Sequence, residues 1–441
     1  MIASNHETRS AGSTAVPSNH AVRSGASGQQ RVAVLGAGLL GCSLALELAR
    51  RGCRVDLFDR ANRPMTGAAL VNEGKLHLGF LWAKDPSLAT ARLMAEGSLQ
   101  FFPLLRRWLG GAADDLPISS PFIYAVPHDS MLPPDQVLDH ISRIDALIRA
   151  IEVEIGVAGD DPDAPARNRA IAACHAEPLS RADLEASFAP DRIAAAARTP
   201  EISVHPAAVA ALVQQAIAAE PSIAFHPAHN VERVEVGSAG CEVLVKGQRA
   251  ATFDAAVNAL WDGRLAVDTA SGLAPDGPWR WRTKYSLRIP VALGDYGIPS
   301  VTMVLGPFGD FADYRNGESL LSWYPAGLMG IEDGIEPPIA WSAPSTERVA
   351  TIRHETIAAL AVRCPAISCL PGATMAAARL VGGPIFAAGA SDITDPESGL
   401  HERTRVGIRS IGRYHSVDPG KYCLAPLMAM RVADIIAEDD P

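Results

Sequence analysis

RVAVLGAGLLGCSLALELARRGCRVDLFDR, residues 31–60, decides the fold of this 441-residue chain. Val32, Ala33, Val34 and Leu35 form an apolar run suited to a buried parallel strand. Gly36, Gly38 and Gly41 follow at the GxGxxG spacing, and the pattern from Leu39 to Arg51 predicts a helix that Gly52 ends. Val55–Phe58 reads as a second strand with Asp59 at its end. Each part has a mechanical reason. Gly36 makes the tight turn, Gly38 lets a pyrophosphate approach the backbone, and Gly41 lets helix and strand pack closely. Ala37, Leu39 and Leu40 share that turn, where the first N–H groups of the helix are free to meet phosphate. Asp59, about 20 residues beyond the glycines, is placed to accept ribose hydroxyls, and Arg60 follows it. The order strand, glycines, helix, strand, acid predicts dinucleotide binding.

The bulk composition narrows the class. The chain is 48% hydrophobic and 20% charged, ordinary for a globular enzyme of about two or three domains. A formal net charge of −10 argues against nucleic acid as a partner, since phosphate binding needs a concentrated basic surface. No apolar run reaches the ~18 residues of a membrane span. Residues 1–29 lack an apolar signal core and read as a disordered leader. Seven cysteines (42, 53, 174, 241, 364, 369 and 423) form no CxxC pair, which fits a reducing cytoplasm and offers no metal site.

Further along, Pro- and Asp-rich breaks at 132–135 and 160–163 punctuate helical stretches such as 136–152. PAAVAALVQQAIAAE (206–220) predicts a helix opened by Pro206, with Val209, Leu212, Val213 and Ile217 on one face. Strands are expected at 231–236, 241–246, 253–258, 280–290 and 405–411, a helix at 346–362, a loop at 412–420 and a final helix at 424–437.

Four further stretches carry a resemblance. They are GAALVNEGKLHLGF (67–80), VHPAAVAALVQQA (204–216), VNALW (257–261) and SVDPGKYCLAPLMA (416–429). Together with the glycine unit, the chain resembles the D-amino-acid oxidase superfamily of FAD-dependent oxidoreductases from residue 31 onward. Relatives named by that resemblance include glycine and sarcosine oxidases, glycerol-3-phosphate dehydrogenase and L-2-hydroxyglutarate oxidase. NEGKLHLGF is closer to the "N-S-G-x-I-H-x-G" of the hydroxy-acid and polyol branch than to the amine oxidases. His205 stands where the family usually has Asp, and Leu260-Trp261 replaces a Gly-containing pair.

The resemblance implies an α/β fold. A Rossmann-like FAD-binding domain (30–100, 201–275, 376–441) is interleaved with an α+β substrate domain (101–200, 276–375) on a mostly antiparallel sheet. It implies FAD held without a covalent bond, Cys423 not matching the usual attachment position. Gly67, Ala68, Asn72, Glu73, Gly74, Val231, Asn258, Ala259, Gly420, Lys421 and Tyr422 join the residues of the first unit as expected FAD contacts. The helix after Gly420 would place its N-terminus where negative charge develops on the reduced ring.

Lys75 and His77 share parity on an extended stretch, so both can face the ring cavity for carboxylate binding or proton transfer. WRWRTKYSLRI (279–289), as a strand, puts Arg280, Arg282, Lys284, Ser286 and Arg288 on one face. That face either binds an anionic substrate, with Arg282 and Lys284 in the site, or is a solvated edge strand charged against aggregation. His415 and Tyr414 lie just before the glycine loop, within reach of a substrate. The expected partners are a small-molecule substrate and O2 or another electron acceptor. An NAD(P)-dependent dehydrogenase and a non-catalytic flavin-binding protein are the competing readings.

Overall fold

The computed structural model describes residues 29–156, 175–238, 240–336, 344–403 and 405–438. The expected leader, apart from residue 29, and the break at 160–163 lie outside the described residues. The 31–60 unit folds as its pattern dictates. Arg31–Leu35 and Arg54–Phe58 pair in parallel, and Leu39–Arg50 is the helix between them. A six-stranded sheet grows from this pair. It runs Gly407–Ile411, Tyr414–Asp418, Ala255–Asn258, Arg31–Leu35, Arg54–Phe58, Ile223–His226 from edge to edge. All neighbours are parallel except the first two strands, which form a hairpin. The second hairpin strand, Tyr414–Asp418, occupies most of the stretch expected as loop 412–420. Tyr414, Val417 and their neighbours are buried, and Gly412 with φ +52° makes the turn.

On one face, Val32, Val34, Leu44, Leu48, Val209, Val213 and Val432 form a continuous core, joining the first helix to Pro206–Ala219 and Ala425–Glu438. On the other face, Ala33, Leu35 and Phe58 pack beneath the three-stranded antiparallel meander Val231–Gly237, Gly240–Val245 and Gln248–Phe253. Pro206–Ala219 begins as predicted, with Pro206 in its first turn, and His205 Nδ1 accepts from the Ala208 N–H at 3.3 Å.

A nine-stranded sheet forms the second layer system. Its order is Leu328–Asp333, Trp279–Ile289, Ser319–Trp323, Gly309–Asp313, Ser300–Met303, Phe122–Pro127, Ile193–Arg198, Glu177–Pro178, and Arg379–Ala388 also pairs with Trp279–Ile289. Only Ser300–Met303 and Phe122–Pro127 are parallel neighbours. The architecture is a Rossmann-like layer beside a mostly antiparallel sheet. Helix Pro134–Ile155 covers one face of that sheet with Ile141, Ile144 and Ile148, and Thr346–Arg363 covers the other through Leu360. Among the described residues no helix is long and apolar enough to cross a membrane.

Candidate active site

The glycine turn has the shape of a phosphate cradle. Gly36 takes φ +101°, and a Cβ there would lie 2.8 Å from the Ala259 carbonyl oxygen. A Cβ on Gly41 would come within 1.8 Å of the Gly36 oxygen, so helix and strand touch only because both residues lack one. A Cβ on Gly38, by contrast, would meet nothing within 4 Å. That side of the turn is open to a ligand. Asp59 steadies the turn by accepting the Ala37 and Ala61 N–H groups at 2.7 Å each. Each carboxylate oxygen retains a lone pair for a ribose hydroxyl. Arg60 is exposed and paired with Asp262, three residues beyond the Ala259 that borders Gly36.

The loop at 67–80 is used partly for other purposes than the resemblance suggests. Gly67 precedes the short helix Ala68–Val71. Asn72 donates from Nδ2 to the Ala68 and Ala69 carbonyls at 2.8 and 2.9 Å, and its Oδ1 accepts the Gly74 N–H. Gly74 has φ +65° and would place a Cβ 1.9 Å from the Val204 oxygen, so a close backbone crossing requires glycine there. Asn258 is likewise spent within the protein. Its Nδ2 donates to Arg264 O, Asp268 Oδ1 and Tyr414 OH, and its Oδ1 accepts the Leu260 N–H. Val231 is buried at the start of the meander.

Trp279–Ile289 alternates as its sequence predicts. Trp281, Leu287 and Ile289 are fully buried in apolar clusters. The opposite parity carries cations, but it is no solvated edge, because the strand is paired on both sides and Arg282 and Arg288 are only 5% and 6% exposed. Arg282 Nη1 lies 3.5 Å from Asp392 Oδ1, which also accepts the Tyr324 hydroxyl at 2.7 Å. Lys284 Nζ stands 3.7 Å from Glu73 Oε1 and 5.6 Å over the Tyr324 ring. Arg280 leaves the interior to pair with Asp333.

Two more cations join Arg282. Burial, followed by the neighbouring Arg282, pulls Arg403 down to about 10. Burial and then Arg403 pull Lys421 down to about 8, against the attraction of Glu73. Among the described residues, Arg282 Nε, Arg403 Nε and the Tyr422 hydroxyl are buried without a hydrogen-bond partner. Three mutually repelling cations with unspent donors are an arrangement that an anion completes. Gly420, with φ +63°, turns the chain so that Lys421 and Tyr422 precede helix Ala425–Glu438.

Lys75 and His77 are both buried, on separate networks. Lys75 Nζ donates to Thr302 at 2.7 Å and to Asp310 at 2.8 Å, and the carboxylates of Asp310, Glu73 and Glu201 keep it charged against burial. His77 lies 3.6 Å from the fully buried Glu201 and edge-on to Trp82; burial lowers it to about 4, so it is neutral at pH 7. Glu201 also accepts the Tyr124 hydroxyl and the Leu78 N–H. His415 departs from expectation. It lies within the six-stranded sheet, its Nδ1 2.8 Å from Ser410 Oγ across the hairpin, while Tyr414 bonds Asn258 and Asp268. Neither belongs to the cationic group. Burial lifts the Cys423 thiol to about 11, so it has no thiolate to offer for attachment.

Sequence reasoning missed Arg403, Asp392, Tyr324 and Asp310, which come from two loops, the start of a short helix and a strand with no motif of their own. The parity that selected Arg282 and Lys284 would have singled out none of them. Among the described residues no group of His, Cys, Asp and Glu is arranged to hold a metal ion.

Residues 31–355 match the family model described as FAD dependent oxidoreductase, DAO. No curated protein sequence matches the chain at a significant level. Among solved structures, glycine oxidase from Geobacillus kaustophilus is similar over 94% of this chain and 96% of its own, with 17% identity and a TM-score of 0.63. L-alpha-glycerophosphate oxidase from Mycoplasma pneumoniae covers 93% and 95% at 13% identity and TM-score 0.62. L-proline dehydrogenase from P. horikoshii covers 93% and 94% at 14% identity and TM-score 0.60. At such identities these likenesses show the fold. The family match spans most of the chain, and the open Gly38 wall, the ribose-ready Asp59 and the unspent donors near Lys421 fit the cofactor it names. The chain belongs to the DAO family of FAD-dependent oxidoreductases.

Proposed function

We propose that this enzyme oxidises a CH–NH or CH–OH group of a small, polar, anionic substrate, giving an imine or a carbonyl. The observation that carries this reading is the cationic group of buried Arg282 with half-buried Arg403 and Lys421, in which Arg282 Nε and Arg403 Nε have no hydrogen-bond partner. FAD, when bound, supplies the two-electron acceptor at N5, and O2 or another acceptor then takes the electrons. Gly36, Ala37, Gly38, Leu39, Leu40, Gly41 and Asp59 would hold its ADP half, and Gly67, Ala68, Gly420, Lys421 and Tyr422 would serve its ring half.

The chain's own residues then bind and orient. Arg282, fixed by Asp392 and Tyr324, presents its guanidinium to the substrate's anionic group. Arg403 and Lys421 add charge, and the indole wall of Trp279 and Trp281 with Phe386 dries the inner end of the strand. Lys284 sets a positive charge beside the reacting region. The neighbours' names include oxidases and dehydrogenases of amino acids and glycerophosphate, which agrees with a small anionic substrate. The two sheets support a two-domain division like the one expected, with Arg379–Ala388 assigned to the substrate side because it pairs with Trp279–Ile289. A cytoplasmic location fits a cysteine set with no CxxC pair and no regular framework.

Anaerobic mixing of the FAD-loaded enzyme with a panel of amino acids, hydroxy acids and phosphorylated polyols tests the reading. Bleaching of the flavin by an anionic member is expected. Bleaching only by neutral or cationic members, or by none, overturns it.

A further inference from the structure

Glu73 occupies the place of the serine in the "N-S-G" pattern, between Asn72 and Gly74. A carboxyl group there is a departure that cofactor binding does not explain. Its backbone is held rigidly, since Tyr314 OH donates to the Glu73 carbonyl at 2.8 Å and the Asn72–Gly74 turn closes beside it. Its side chain keeps 29% exposure in the interior, beside Lys284 at 17% and Asp310 at 13%. Lys75, at 4%, lies behind them with its ammonium 3.9 Å from Glu73 Oε2 and 2.8 Å from Asp310. Four charged groups from three separate segments of the chain thus converge. The carboxyl of Glu73 is the acidic one with the most open surface.

We propose that Glu73 takes up the proton that leaves the substrate's N–H or O–H as the hydride leaves its carbon. This rests on the oxidoreductase reading above. The C–H bond breaks with its electron pair going to the family's flavin. The N–H or O–H bond breaks heterolytically, its proton forms an O–H bond on Glu73, and the pair left behind completes the C=N or C=O bond. Charge and atoms balance without a further reactant.

The other candidates in this region are poorer acceptors. Lys75 and Lys284 are cations. His77 is enclosed against Glu201 and Trp82, and Glu201 is wholly buried beneath it. Asp310 is held ionised and weakly basic by Lys75 and Lys284, which overcome its burial. Burial and then the Asp310 charge move Glu73 the other way, upward, against Lys284 and Lys75. Lys421 is a further cation whose charge Glu73 feels. Two carboxyl groups whose surroundings push them apart are suited to divide into a spectator anion and a working base. Asp310 is then a positioning residue.

The experiment compares FAD-loaded wild type, Glu73→Gln and Asp310→Asn in two measurements. Infrared difference spectra across pH 4 to 8, which need no substrate, are expected to show a protonated-carboxyl band that titrates above the ordinary glutamate range. Glu73→Gln removes that band. With the panel compound that bleaches the wild-type flavin, Glu73→Gln is expected to slow anaerobic reduction about 100-fold. It also abolishes the fall in rate toward acid pH, while substrate Kd stays within about 3-fold. Asp310→Asn retains that acidic limb but moves it to lower pH, as removal of a neighbouring negative charge requires. An infrared band unchanged in Glu73→Gln, or an acidic limb that survives the substitution, overturns the proposal. If no compound bleaches the wild type, the oxidoreductase reading fails, and the infrared result still decides whether Glu73 is the proton-holding group.

Discussion

Gly41 and Gly38 do opposite work three residues apart. A methyl on Gly41 overlaps the Gly36 carbonyl, whereas one on Gly38 projects into open space. Gly41→Ala is therefore expected to lower Tm even in the apoprotein. Gly38→Ala should leave apoprotein Tm nearly unchanged and weaken FAD binding, read by the FAD concentration needed for half-maximal thermal shift. Glu47, in the first helix, is a residue whose role the sequence conceals. It is fully buried and accepts from Arg51, Arg107 and the Trp108 indole. Burial alone would raise it, but the bonds from Arg107, Trp108 and Arg51 hold it down to about 2. With the ordinary value at 4.5, its contribution is complete above that pH and is lost as pH falls toward 2. Glu47→Gln should cost about 1–3 kcal/mol at pH 7, with a shallower acid limb in the Tm-versus-pH curve. A glycine motif is legible because its chemistry is local. A buried acid is not, because two of its three partners, Arg107 and Trp108, lie about 60 residues away in another helix.

Helix Pro206–Ala219 shows how an element absorbs a departure from its family. His205 replaces the usual Asp, yet its Nδ1 still caps the Ala208 N–H while Nε2 reaches Glu318 at 2.9 Å. His205→Ala is expected to lower stability by about 1 kcal/mol, measured by urea denaturation. His205→Asp should recover the cap but face Glu318 with a like charge, leaving part of that loss in place. The strand Trp279–Ile289 was legible as an element because aromatic, β-branched and aliphatic residues alternate with polar ones, four of them cationic. Its sequence left two environments open for the cationic face. Pairing on both sides removed the edge reading, and the burial of Arg282 and Arg288 shows that this face is covered as well. The hairpin strand Tyr414–Asp418 was hidden for the converse reason. Its His, Ser and Asp are polar because they bond Ser410, Asp268 and Arg264 inside the protein, not because they meet water.

At the scale of the whole molecule, two sheets are built from interleaved segments, and Trp261, just after the strand Ala255–Asn258 of one, packs on Phe386, which pairs with Trp281 of the other. The cradle could be read from residues 31–60, whereas the substrate end could not. Arg282, Arg403 and Lys421 lie on three segments more than a hundred residues apart at the extremes, and only the fold gathers them. The role proposed for this gathered charge is to receive an anion. Titrating the FAD-loaded enzyme with a small carboxylate such as benzoate, and following the perturbed flavin absorbance, measures it directly. Arg282→Ala and Arg403→Ala should each raise the Kd by about 10- to 100-fold, the loss of one charge-assisted hydrogen bond. Wild-type affinity should also weaken as pH rises through about 8, where Lys421 loses its proton. A benzoate Kd that is the same in wild type and both variants, and flat across that pH range, would contradict the account.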